Sequence, residues 1–146
     1  MALRKLTNWN DPIFRKKSRE VAPDKFDERL HILLDDMLET LIRANGYGCA
    51  AVHVGILRRV VIILANDNHE LIELINPQII EKSDELIEIQ EGSIAPDSPQ
   101  AIVMRPKSVT VTGFDRYGKS ITVKGEGFLA ATLCHEIDHL DGILFI

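Results

Sequence analysis

The residues most able to do chemistry in this chain are His135, Glu136 and His139, in the run His135-Glu136-Ile137-Asp138-His139. Residues four apart stack on one face of a helix, so the two imidazoles can offer a nitrogen each to a single metal ion. Glu136 lies one step round that helix, where its carboxylate reaches a water on the metal rather than the metal itself. That is the general-base position in metal-dependent hydrolysis. Two imidazoles are too few for a catalytic centre, which normally takes three protein ligands and leaves a position open. The plainer reading is a pair of histidines satisfied inside a core. A buried face carrying two imidazoles needs partners for both, which favours metal.

The helix that must carry this motif is expected from about Gly127 to Leu140, with Asp141-Gly142 as its stop. Phe128, Ala131, Thr132, His135 and His139 fall along one side, and Leu133, Ile137 and Leu140 along another. A helix apolar on two sides is buried, so sheets or loops must wrap it. A second, amphipathic helix is expected from Pro23-Asp24 to Asn45-Gly46, with Phe26, Leu30, Leu33, Leu34, Met37, Leu38, Leu41 and Ile42 as its stripe and His31 on the charged side. Gly46 to Gly55 reads as a loop of small residues that lets backbone approach closely. Strands are expected at Ile56–Ala65, Glu70–Asn76 (ended by Pro77), Asp84–Gln90, Val109–Phe114 and Ser120–Lys124. Asn66-Asp67-Asn68 is expected to turn between the first two, and Asp115-Arg116-Tyr117-Gly118 between the last two. Prolines 96, 99 and 106 make Ala95 to Lys107 irregular or edge-like. The early Asn10-Asp11-Pro12 turn and the solvated Arg15-Lys16-Lys17 patch carry no chemistry of their own.

Composition narrows the function classes. The chain's 146 residues suit one domain, 1–146, and a formal net charge of −5 argues against general nucleic-acid binding. Val60 to Ala65, the longest strongly apolar run, is too short for a membrane span, and no signal-like segment opens the chain; the expected location is the cytoplasm. Cys49 and Cys134 are expected to be unpaired, small buried residues.

Three runs in order, Gly46-x-Gly48-x-Ala50-Ala51, Glu91-Gly92 and His135-Glu136-x-Asp138-His139-Leu140-Asp141-Gly142, resemble the peptide deformylases. Asp11-Pro12 with Arg15 and Ser18, Ile75-Asn76-Pro77, Arg105-Pro106 and Leu144-Phe145 extend the resemblance over nearly the whole chain. It implies an α+β fold with mixed antiparallel sheets around a buried central helix. It also implies a hydrolase that removes the formyl group from the N-terminal methionine of new polypeptides, using a divalent metal, iron(II) or zinc. In that reading His135 and His139 are metal ligands, Glu136 is the base, and the Ile94 N–H helps hold the oxyanion. Gly46, Tyr47, Gly48, Ile89, Glu91, Gly92, Phe128, Ala131 and Thr132 border the substrate, with Thr132 making the methionine pocket somewhat polar.

Two positions depart from the family pattern. A cysteine is expected directly after Glu-Gly, where Ser93 stands as the third ligand, and a glutamine two residues after Ala-Ala, where His53 stands. A neutral hydroxyl is a weak ligand for zinc or ferrous iron, so weak or absent metal binding is one expectation. His53 can instead donate to the oxyanion, or turn to the metal as a third nitrogen. The leading expectation is therefore a deformylase, with activity intact or reduced, acting on N-formyl-methionyl peptides. The alternative is a non-catalytic homologue that binds peptide N-termini or a ribosomal partner. A general metallopeptidase comes third.

Overall fold

The structure, a computed structural model, describes residues 2–65 and 70–146. Two helices, α1 (Glu28–Arg43) and α2 (Phe128–Leu140), accompany seven strands: β1 (Gly48–Ala50), β2 (Val60–Ala65), β3 (Glu70–Lys82), β4 (Leu86–Glu91), β5 (Ala101–Pro106), β6 (Ser108–Phe114) and β7 (Ser120–Glu126). Five strands form an antiparallel sheet in the order β1-β2-β3-β6-β7, and β4 and β5 form a separate hairpin. This is the α+β arrangement expected. Among the described residues no helix is long and apolar enough to cross a membrane.

The sheet lies between the helices, and β2 shows why. Alternate side chains of a strand point to opposite faces. Val61 and Ile63 pack with Leu133, Ile137 and Leu140 of α2, whereas Val60, Ile62 and Leu64 pack with Leu30, Leu34, Met37 and Leu41 of α1. Both faces are dry, so β2 reads as a continuous apolar run. At about 1.5–3 kcal/mol for each large side chain, this burial is what holds α2 inside the molecule.

The boundaries differ from expectation in four places. Pro23–Lys25 is a separate 3-10 turn, and α1 starts at Glu28, because the Asp27 carboxylate accepts from the Leu30 N–H at 3.2 Å and is the stronger cap. Gly46 to Gly55 is not a loop: its centre is strand β1, followed by a 3-10 turn at Ala51–Val54. β2 begins only at Val60, since the backbone before it is engaged elsewhere: the Ile56 N–H reaches Ala51 O, and Arg58 bridges Arg19. β3 runs on through Pro77, because Asn76 takes φ 52° and the register with β6 shifts between Ile75 and Gln78, so the proline meets no ladder acceptor. Of the two alternatives for the proline-rich stretch, irregular or edge-like, Ala101–Pro106 takes the second: it is a regular strand paired from Leu86↔Pro106 to Glu91↔Ala101, and no third strand pairs with it among the described residues. The turn expected at Asn66-Asp67-Asn68 lies outside the described residues.

Three local expectations are met. The β6–β7 turn is closed by the Asp115 carboxylate, which accepts from the Tyr117 and Lys119 N–H groups. Cys49 and Cys134 are buried and unpaired. His31 rests on the surface with its Nε2 2.9 Å from the Arg116 carbonyl.

Candidate active site

α2 places His135 and His139 one turn apart with their Nε2 atoms separated by 3.1 Å. Two nitrogens that close can both touch one ion at metal–nitrogen distances of about 2.0–2.1 Å. The ring of His135 is oriented by Glu91, the last residue of β4, whose Oε1 takes the Nδ1 proton at 2.7 Å and leaves the Nε2 lone pair facing His139. Glu91 is gripped in turn by the Arg105 guanidinium through two bonds of 2.7 and 2.8 Å. Arg105 also reaches Asp138 at 2.6 Å, so hairpin and helix are joined by one ionic chain, buried at Glu91 and Arg105 and half-buried at Asp138. Burial works against a charged Glu91, yet the bonds from Arg105 and His135 outweigh it and hold the carboxyl at about 2. For His135 burial also opposes the charge, and the Glu91 bond prevails, raising its value.

Glu136 sits beside this pair, 4% exposed, and among the described residues its Oε1 has no hydrogen-bond partner, His53 Nδ1 standing 3.9 Å away. Burial pushes its carboxyl up to about 7; His135 opposes that shift and Glu91 adds to it. The close approach of β1 requires glycine at 48, where a Cβ would stand 2.6 Å from Glu136 Oε2. Behind the histidines the wall is aromatic: Phe14 lies 5.5 Å from the ring of His139 and 5.4 Å from that of His53, and Phe145 lies 5.4 Å from His135. The early segment thus carries no reacting group but excludes water from the back of the site.

His53, on the 3-10 turn after β1, has its Nδ1 3.0 Å from the Ala50 nitrogen and its Nε2 3.0 Å from Ser93 Oγ. The Ala95 N–H also donates to Ser93 Oγ, at 3.1 Å. Burial, then the charge of His135, lowers His53 to about 3, and burial takes His139 well below its usual value, so both imidazoles are neutral. His53, Glu136 and His139 offer ligand atoms within 4.8 Å of one another. Convergent neutral nitrogens with a buried unpartnered carboxylate oxygen suit a divalent cation and a proton acceptor.

The family model described as polypeptide deformylase matches residues 3–146. The chain belongs to the polypeptide deformylase family. It is 50% identical over 145 residues to a peptide deformylase of Acetivibrio thermocellus, covering 99% of this chain and 82% of that one. Against a peptide deformylase of Alkaliphilus metalliredigens it is 47% identical, covering 99% and 95%. The crystal structure of a peptide deformylase from Legionella pneumophila superposes with a TM-score of 0.92 at 37% identity, covering 99% and 84%. An actinonin-bound class I type b peptide deformylase from Acinetobacter baumannii does so with a TM-score of 0.92 at 28% identity, covering 99% and 97%.

Within this deformylase fold a cleft of about 350 Å³ opens over α2, and the nine residues expected at the substrate all line it, together with Ser93, Ile94, His135 and Glu136. His53 and His139 are each 1% exposed and lie behind it. Two placements change a residue's meaning. Glu91 borders the cleft, but its oxygens are occupied by Arg105 and His135, so it orients an imidazole. The Thr132 hydroxyl donates to the Phe128 carbonyl at 2.8 Å, so its proton is used within the helix rather than offered to the cleft. Arg105 had no assigned role from the sequence; the available signal was the family-like Arg105-Pro106 pair, and the β4–β5 pairing that brings it to Glu91 belongs to the structure.

Proposed function

We propose that this chain is a metal-dependent amide hydrolase that removes the formyl group from the N-terminal methionine of new polypeptides. The observation that carries the reading is the buried Glu136 carboxylate with an unpartnered oxygen, set beside two convergent imidazoles at the floor of a cleft. His135 and His139 would hold a divalent ion, read here as iron(II) or zinc on the family resemblance and compatible with imidazole ligands. Such an ion, when bound, supplies a Lewis acid for the formyl oxygen and acidifies water. Glu136 takes the proton from the attacking water and returns it to the leaving amine; a carboxyl near 7 can do both at neutral pH. Ile94, which lines the cleft, would offer its backbone N–H to the oxyanion. Tyr47 and Phe128, stacked edge to face at 5.0 Å, with Ile89 and Ala131, offer the apolar surface that a methionine side chain needs. Substrates of this kind place its work in the cytoplasm, near the ribosome.

The test is formate release from formyl-methionyl peptides, compared with acetyl-methionyl and formyl-norvalyl ones. Activity on the first far above the others, lost in His139→Ala, is expected; equal handling of all three overturns the substrate assignment. Replacing the thiol expected at position 93 by a hydroxyl favours a second reading, a homologue that binds peptide N-termini without cleaving them, and peptide binding with no formate release from metal-loaded protein would establish it. A further expectation concerns Gly48→Ala. Its new methyl group must displace the Glu136 carboxylate, and a base misplaced by about 1 Å loses on the order of 100-fold in kcat. Overpacking should lower stability by about 1–3 kcal/mol, read from urea unfolding. Unchanged kcat would mean that the carboxylate need not stand where it does.

A further inference from the structure

Which nitrogen of His53 carries its proton decides what the neighbouring Ser93 hydroxyl can do. Just before β1 the Leu64 N–H donates to the Tyr47 carbonyl, which makes 47/64 a hydrogen-bonded pair. Three positions on, the Ala50↔Val61 pair is therefore of the other kind, and the Ala50 N–H points away from β2 at the edge of the sheet. Ala50 is wholly buried, and His53 Nδ1, 3.0 Å away, is the acceptor its N–H meets. The Ala50 carbonyl also stands 3.1 Å from Nδ1, but an orphaned buried N–H is rarer than an under-satisfied carbonyl. Nδ1 thus accepts, and Nε2 bears the proton and donates to Ser93 Oγ at 3.0 Å.

Ser93 Oγ also accepts from the Ala95 N–H, at 3.1 Å. A hydroxyl oxygen has two lone pairs, and both are taken, so none is left for a cation. What remains is its own proton, for which no protein acceptor stands within hydrogen-bond distance among the described residues. Ser93 borders the cleft with Ile94, His135 and Glu136, and it is tied to the proposed base through His53, whose Nδ1 lies 3.9 Å from Glu136 Oε1. The hydroxyl is also held in place. The Ser93 N–H donates to Ser98 Oγ at 3.1 Å, Ser98 Oγ donates to the Pro99 carbonyl at 2.9 Å, and the Ile94 side chain packs against Gly46 and the core beneath α1. Two N–H groups on one oxygen polarise it and strengthen the bond that its own proton makes.

We propose that Ser93 is a catalytic residue whose O–H donates to the formyl oxygen as negative charge develops there, and that His53 is a positioning residue acting through Ser93. The inference rests on the deformylation read above. With the methionine side chain against Tyr47, Ile89, Phe128 and Ala131, the formyl group is left the part of the cleft bordered by Ser93 and Ile94. The proton stays on Oγ throughout, so no bond to it forms or breaks. A fixed donor aimed at developing charge needs no reorganisation during the reaction. The two departures from the family pattern then form one exchange: a hydroxyl at 93, with an imidazole at 53 to take one of its lone pairs, makes the position a donor instead of a ligand.

Binding of intact substrate tests this without turnover. In the metal-loaded full chain carrying Glu136→Gln, calorimetry with formyl-methionyl-alanyl-serine and with the same peptide lacking the formyl group measures the formyl contact. Adding Ser93→Ala should weaken the formyl peptide by about 3- to 10-fold, the scale of one neutral hydrogen bond, and leave the unformylated peptide unchanged. Ser93→Thr, which retains the hydroxyl, should bind the formyl peptide as the background does. With Glu136 in place, Ser93→Ala should lower kcat for formate release on the order of 10²- to 10³-fold, the effect of losing one oxyanion donor, while cobalt(II) affinity against a chromogenic chelator stays within about 3-fold of the parent. His53→Ala should lower kcat by less, and no further once Ser93→Ala is present. Cobalt affinity reduced on the order of 100-fold in folded Ser93→Ala overturns the proposal, because Ser93 would then serve the ion. So does an equal change, or none, in the binding of the two peptides. A further kcat loss in the double variant removes His53 from its positioning role. Equal binding of the two peptides with Ser93 intact would sink the proposed deformylation and this role with it, whereas a formyl preference undiminished by Ser93→Ala sinks this role alone.

Discussion

Glu136→Gln is expected to lower kcat for formate release by roughly 10²- to 10⁴-fold, the contribution of a positioned general base, while the protein stays folded and retains its metal. The amide fills the same space against Gly48 but takes no proton. Its effect on stability has the opposite sign. The Glu136 carboxyl, ordinarily near 4.5, is held at about 7, chiefly by burial, so the folded chain favours the protonated form. A raised value gives stability that is whole below about 4.5 and is lost as pH rises through about 7. Glutamine is neutral throughout. Chelator-treated Glu136→Gln should therefore show a flatter pH profile of Tm and exceed the parent above pH 7, by on the order of 3 kcal/mol. Superimposed Tm profiles would show that the carboxyl is not perturbed, and an unchanged kcat would remove Glu136 from the proton transfer.

Arg105→Met is expected to cost about 3–5 kcal/mol in urea unfolding at neutral pH, because it leaves the Glu91 carboxylate buried without its main partner. The loss should depend on pH in a defined direction. Glu91, held at about 2, contributes stability that is present above about 4.5 and is lost as pH falls through about 2. The difference between parent and variant should be widest at neutral pH and narrow towards pH 2; a constant difference would mean that Arg105 acts by packing alone. Adding Glu91→Gln should recover part of the loss, since the uncompensated charge is then gone. Metal affinity should fall by about 10–100-fold in either background, because the Glu91 carboxylate is what orients His135.

The two histidines and Glu136 were legible because their relation is local. An i, i+4 spacing puts two side chains on one face of any helix, whatever surrounds it. The α1 stripe and the Asp115–Gly118 turn were legible for the same reason. The departures at 53 and 93 could be read as residue types, and their weak point, a hydroxyl where a thiol is expected, is plain chemistry. Pro77 misled because proline ordinarily stops a strand; the bulge that accommodates it depends on Asn76 adopting φ 52° and on the register with β6. Gly46 to Gly55 misled because small residues suit a loop equally well as a strand edged closely by Glu136.

Relations across the sheet were settled only by the tertiary structure. Glu91 meets His135 across 44 positions of sequence, Arg105 meets Asp138 across 33, and His53 meets Ser93 across 40. No periodicity encodes such pairings, because they depend on how the β4–β5 hairpin and β1 are set against α2. The protonation of His53 is the finest case. The sequence by itself placed an imidazole near the metal helix and left open whether it donates or coordinates. The tertiary structure aims the buried Ala50 N–H at Nδ1, and satisfying that one donor places the proton on Nε2, facing Ser93.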